Sequence, residues 1–170
     1  MDTRHLVDRE IAPLIDLFPR VDLDSAPITQ IRAKAAETYS ILPPPVIAPE
    51  KLVVPSIHGG PDIPVFLYRP AETRPGGGAI LHIHGGGMVM GSVEQMQAGP
   101  ALLAASAGVP VASVEYRLAP EHPFPAPHED CHSALAWLAE QSDALGFDPN
   151  RIVVAGESAG GGVAAALAIM

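Results

Sequence analysis

The sequence predicts an α/β domain built on a mostly parallel sheet with helices on its flanks. Three observations lead there. From residue 79 onward, short β-branched apolar runs alternate with longer helical stretches, the pattern of parallel strands joined by right-handed crossovers. A G-x-S-x-G segment, Gly156-Glu157-Ser158-Ala159-Gly160, stands between the apolar run Arg151–Ala155 and the Ala-rich stretch Gly161–Leu167. Another apolar run, Ala79–Ile83, leads through His84 into the three glycines Gly85–Gly87.

Taken in order, the first segment sets apolar side chains at Leu6, Val7, Ile11, Leu14, Ile15 and Phe18, a helical rhythm over residues 3–18 despite Pro13. Asp24 or Ser25 is placed to cap a second helix, with Pro27 in its first turn and an end near Tyr39. Ile41–Val46 contains three successive prolines and predicts a stiff connector. Residues 1–45 therefore read as a helical segment with its connector, and 46–170 as the core domain.

Strands are expected at 51–57 and 63–69, joined by the turn His58-Gly59-Gly60-Pro61-Asp62. Gly76–Gly78 leads into the strand at 79–83. A helix over 93–107 follows, bent or interrupted by Pro100. A strand at 109–114, a proline-rich loop at 119–127 and a helix at 127–144 come next. Asp148-Pro149-Asn150 then turns the chain into the strand at 151–155.

At 170 residues the chain is long enough to bury about two-thirds of its unfolded surface. Its net charge of −9, with no basic cluster, argues against nucleic acid or an anionic membrane as partner. The one cysteine, Cys131, forbids an internal disulfide and suits a reducing cytosol, so a cytoplasmic protein is expected; Cys131 itself reads as a small helix residue. Met1–His5 lacks the basic region of a signal peptide, and no run of 18 apolar residues offers a membrane span.

A strand that enters G-x-S-x-G and leaves as a helix makes a nucleophile elbow, a sharp turn holding Ser158 out at the top of the sheet. The turn strains the backbone at the serine, and side chains at either flank would collide, so Gly156 and Gly160 belong there. The N–H groups of the helix start suit a site where an oxyanion forms. Gly85–Gly87 let a second loop aim amides at the same point; donors held this way lower a barrier by roughly 3–4 kcal/mol each. The plain alternative is a loop that merely turns.

With Tyr116-Arg117-Leu118-Ala119-Pro120-Glu121-His122-Pro123-Phe124-Pro125-Ala126, these motifs stand in an order and spacing that resemble the hormone-sensitive-lipase-like esterases of the α/β-hydrolase fold. The resemblance runs from about Val53 onward. Met88 stands where an aromatic is usual, and Glu157 where Asp or Thr is commoner. It implies a serine carboxylesterase for short- to medium-chain acyl esters, with no cofactor. Ser158 would be the nucleophile; Gly85, Gly86 and Ala159 would supply oxyanion-hole amides. His84 and Gly87 would support the loop, and Arg117 with Glu121 would brace it as a buried pair, or else form a partly solvated one. The N-terminal helices would contribute to a cap, or more plainly pack on the sheet.

In this fold the triad runs Ser, then Asp or Glu, then His. Residues 159–170 contain none of these three acid or base types, so the chain reads as an N-terminal half, catalytically incomplete by itself. The strand Ile152–Val154 is then an open edge able to self-associate. Glu157 is too close to Ser158 in the turn to act as triad acid.

Two further groupings carry other chemistry. His128-Glu129-Asp130-Cys131-His132 matches H-E-x-x-H, whose histidines share a helix face and bind zinc in metallopeptidases. No third ligand follows it, so the expectation is no metal, and a zinc peptidase stands as the remote alternative. His82 and His84 share one side of a strand, either as a metal pair or as a core histidine beside a loop prop. A non-catalytic ligand-binding protein on the same scaffold is the other alternative.

Overall fold

The computed structural model describes residues 3–15, 26–39 and 43–170. Strands β1 (Glu50–Val54), β2 (Ile63–Tyr68), β3 (Ala79–Ile83), β4 (Val111–Val114) and β5 (Ile152–Gly156) form one sheet in the order β1-β2-β4-β3-β5. β2 is antiparallel to both β1 and β4, while β3 runs parallel to β4 and to β5. All strands but β2 therefore share one direction, as a mostly parallel sheet requires.

β1, β2 and β4 are shorter than the spans expected for them, whereas β3 keeps its span and β5 is shifted by one residue. β1 stops at Val54 because Pro55 follows and the Ser56 hydroxyl accepts from the amides of His58 and Gly60, turning the chain. β4 starts at Val111 because Pro110 has no N–H to give the ladder. Its carbonyl still accepts from Ile80.

The helices are α1 (Ala12–Ile15), α2 (Ile28–Tyr39), α3 (Val93–Met96), α4 (Ala98–Ala107), α5 (Ala126–Glu140), α6 (Ser142–Leu145) and α7 (Ala159–Leu167). Within the described residues 3–15, the helix expected over 3–18 is a 3-10 turn, Arg4–Leu6, followed by α1. Between them the Asp8 carboxylate takes the Glu10 amide, offering the backbone an alternative to helix. Phe18, the Asp24 or Ser25 cap, and Ile41 and Leu42 of the connector lie outside the described residues.

The helix expected over 93–107 breaks at Gln97, one turn before Pro100. The proline lacks the N–H that the Met96 carbonyl would accept, so the interruption falls where that bond is missing. The helix expected over 127–144 also divides, at Gln141. The chain forms two compact units, Met1–Ile41 and Leu42–Met170.

Alternation along the strands loads both faces of the sheet. Val65 and Leu67 join Leu81, Ile83, Ala112 and Val114 in one buried cluster with Cys131, Ala134 and Leu138 of α5 and Val163 and Leu167 of α7. Phe66 and Tyr68 face the other way, with Ile80, Val111, Val93 of α3 and Ala101 and Ala104 of α4. Burying each large aliphatic side chain contributes about 1.5–3 kcal/mol, which makes this two-sided sheet the main source of stability. The expected small-residue role of Cys131 matches its place: it is fully buried, and burial pushes its thiol pKa up. No helix of the described residues is long and apolar enough to cross a membrane.

In the β3–β5 register, Ile83 lies opposite Gly156. The loops that leave these two strands start side by side, at the carboxyl ends where open α/β sheets form their sites.

Candidate active site

Only Glu157 and Ser158 separate β5 from α7, so the chain reverses sharply. Ser158 is held at φ 55° and ψ −118°, a region side chains rarely occupy and one that costs of order 1–3 kcal/mol. Glycine flanks it for steric reasons. A Cβ on Gly156 would lie 2.5 Å from the Gly160 carbonyl carbon and 2.6 Å from the Ile83 oxygen. Ser158 itself is exposed.

The glycine loop lies against this turn. A Cβ on Gly85 would stand 3.0 Å from the Glu157 oxygen and 3.5 Å from the Ser158 Cβ. Gly86, at φ 118°, passes so near Met90 that a Cβ would come within 2.0 Å of its carbonyl oxygen. Gly87 and Met88 continue with φ of 65° and 61°, and the Gly86 carbonyl accepts from Val89 and Met90. Among the described residues, the amides of Gly85, Gly86 and Ala159 make no backbone hydrogen bond. Of the three residues, Gly85 and Ala159 adjoin Ser158.

His84 is fully buried under the loop. Its Nδ1 lies 2.8 Å from the Gly85 carbonyl oxygen, which can only accept, so Nδ1 carries the proton. The ring stacks on Tyr116 at 4.2 Å, and the Tyr116 hydroxyl donates to the His84 carbonyl at 2.8 Å. Burial lowers the His84 pKa, keeping the ring neutral, and raises that of Tyr116. Tyr116 was legible as a motif residue, but its bond back to His84 was not.

The brace expected between Arg117 and Glu121 takes another form. Arg117 grips Asp130 of α5, with Nη2 2.7 Å from Oδ1 and Nε 2.9 Å from Oδ2, and its backbone amide adds a third bond. Asp130 is buried and a buried carboxylate requires a cation, whereas Glu121 faces solvent. The segment still meets the glycine loop, since the Ala119 amide donates to the Met88 carbonyl.

His82 is buried between Ser113 and Glu157. In the H-E-x-x-H segment, His132 Nδ1 lies 2.9 Å from His58 Nε2, and His128 sits edge-on to Phe124. Glu129 lies 3.9 Å from Arg117. Among the described residues, no three His, Cys, Asp or Glu side chains gather as a metal site.

Residues 80–170 match a family model described as the alpha/beta hydrolase fold. The chain belongs to that family, in its hormone-sensitive-lipase-like group. It is 37% identical over 164 residues to the carboxylesterase NlhH of Mycobacterium tuberculosis, covering 95% of this chain and 51% of that protein. An ethyl acetate hydrolase of Pseudomonas putida is 47% identical over 111 residues, 64% of this chain and 35% of that protein. Among solved structures, a bacterial heroin esterase superposes with a TM-score of 0.87 at 34% identity, over 99% of this chain and 54% of that one. The chain thus spans about half the length of the relatives it matches over its whole extent. In this α/β-hydrolase, the strand–turn–helix at Ser158 and the glycine loop both lie within the matched residues.

Proposed function

We propose that the protein is a serine carboxylesterase acting on short- to medium-chain acyl esters. The observation that carries this is the contact between Ser158, strained and exposed, and the Gly85 loop with its unspent amides. Ser158 Oγ attacks the ester carbonyl carbon, forming the C–O bond as the π pair moves to oxygen. The amides of Gly85, Gly86 and Ala159 donate to that oxyanion; each such donor lowers the barrier by roughly 3–4 kcal/mol. Collapse expels the alcohol and leaves an acyl-serine, which water hydrolyses. His84, Gly87 and the Arg117–Asp130 grip hold the loop in place.

The serine proton needs a general base, a histidine oriented by an acid, and in this fold both follow the serine in sequence. The ethyl acetate hydrolase among the relatives favours a small ester as substrate. A cytoplasmic location fits the buried Cys131 thiol.

The test uses the longest natural form of the protein with a series of aryl esters of rising acyl length. Turnover should peak at short to medium chains and fall about 10⁴- to 10⁶-fold in Ser158→Ala. A fluorophosphonate should label Ser158. Undiminished turnover in Ser158→Ala overturns the assignment.

A further inference from the structure

A row of three side chains crosses the sheet just beneath the two loops. In register, His82 of β3 lies opposite Ser113 of β4 on one side and Ala155 of β5 on the other. Ser113 Oγ is 2.8 Å from His82 Nδ1, and both Glu157 carboxylate oxygens are 3.1 Å from His82 Nε2. A carboxylate only accepts, so Nε2 carries a proton, and in the neutral ring Nδ1 accepts from the Ser113 hydroxyl. His82 and Ser113 are buried, while the Glu157 side chain reaches in from the surface at 66% exposure.

We propose that Glu157 and His82 are positioning residues that fix Ser158 relative to the amides of Gly85 and Gly86. This rests on the esterase reading. Glu157 directly precedes the strained serine, and its own carbonyl borders Gly85. Its side chain is anchored two residues before His84, on the strand that launches the glycine loop. One residue therefore ties the nucleophile's turn to the oxyanion donors. A strained φ persists only where its surroundings over-determine it, and this bond constrains the residue next to the strain. An aspartate, one methylene shorter, would not span the same gap without moving the strand or the turn.

The test compares Glu157→Ala, Glu157→Gln, His82→Gln and the double variant Glu157→Ala/His82→Gln in the longest natural form. Glu157→Ala should lower kcat and the fluorophosphonate labelling rate about tenfold to a hundredfold, the scale of a slight misplacement, with KM nearly unchanged. Glu157→Gln, whose amide oxygen accepts the same N–H, should recover most of the loss. The double variant should be no slower than the worse single one. Additive losses, or wild-type kcat in Glu157→Ala, overturn the proposal while Ser158 labelling in the wild type upholds the esterase reading. No labelling in the wild type overturns the esterase reading itself. In that case the His82 Nε2–H resonance, expected to be slowly exchanging and lost in Glu157→Ala, still decides whether the bond exists.

Discussion

A Cβ on Gly160 would stand 2.1 Å from the carbonyl oxygen of Ile83 and 2.6 Å from that of His84. The first turn of α7 is thus laid directly on the end of β3, backbone against backbone. Neither side can yield as a flexible side chain would. The serine turn and the glycine loop are consequently one packed unit rather than two loops that happen to meet.

This contact separates glycines that look alike in sequence. Gly160→Ala and Gly156→Ala should destabilise by at least the 1–3 kcal/mol typical of overpacking, since each new methyl meets backbone. Gly162→Ala should act oppositely. Gly162 sits inside α7 with open space at its Cβ, so alanine should stabilise by about 0.5–1 kcal/mol. Urea melts of the three variants check this; a stable Gly160→Ala protein would refute the packing argument.

Acid should loosen the loop support. The His84 pKa is lowered, mainly by burial, from its ordinary 6.5. Between that lowered value and 6.5 the unfolded chain binds a proton that the folded one does not, so stability falls as pH drops through this window. Glu115, raised mainly by burial, contributes the opposite slope between 4.5 and its raised value. The checks are urea midpoints against pH and the His84 ring resonances, which should stay in the neutral position below pH 6.5. A His84 that titrates at or above 6.5 would contradict the prediction.

The sequence made legible what depends on neighbours along the chain. Three-residue glycine runs, the apolar strand at 79–83 and the strand–turn–helix at Ser158 are local patterns with local causes, and a short-range rule reads them. Pro100 shows the limit: its effect was foreseen, but the break falls at Gln97 because the lost bond belongs to Met96. What the sequence hid is pairing across distance. Asp130 on α5, His58 in the β1–β2 turn and Ser113 on β4 find their partners only after the strand order is known. Nearness along the chain points Arg117 to Glu121, four residues on, while the structure pairs it with Asp130, thirteen residues on. Burial decides between them.

Asp130 should therefore matter more than any surface charge near the loop. Asp130→Asn keeps the shape but leaves Arg117, one-fifth exposed, with only the more distant Glu129 carboxylate at 3.9 Å. Breaking a buried pair costs about 3–5 kcal/mol, and the partial exposure of Arg117 puts this case toward the lower end. The loss should appear both in thermal melts and as slower ester turnover, because Tyr116, which holds the His84 carbonyl, is the adjacent residue. An Asp130→Asn protein as stable as wild type would remove the brace from the account.

The last prediction concerns β5. Among the described residues it pairs with β3 alone, so its other side presents unpaired N–H and C=O groups. Its residues Ile152, Val153 and Val154 carry no charge, and Val153 is 56% exposed. Uncharged apolar edges template pairing with further strands. We propose that the 170-residue polypeptide self-associates through this edge. Val153→Lys should shift it toward monomer by placing like charges along any paired edge. Because Val153 is exposed, that change should alter stability by no more than about 0.5 kcal/mol. Sedimentation velocity across a wide concentration range reads the first effect and a urea melt the second. If the wild-type polypeptide stays monomeric throughout, the edge is already protected and the proposal fails. If Val153→Lys leaves the association intact, the contact lies on another surface, and the exposed Ile169 and Met170 at the end of the chain become the next residues to change.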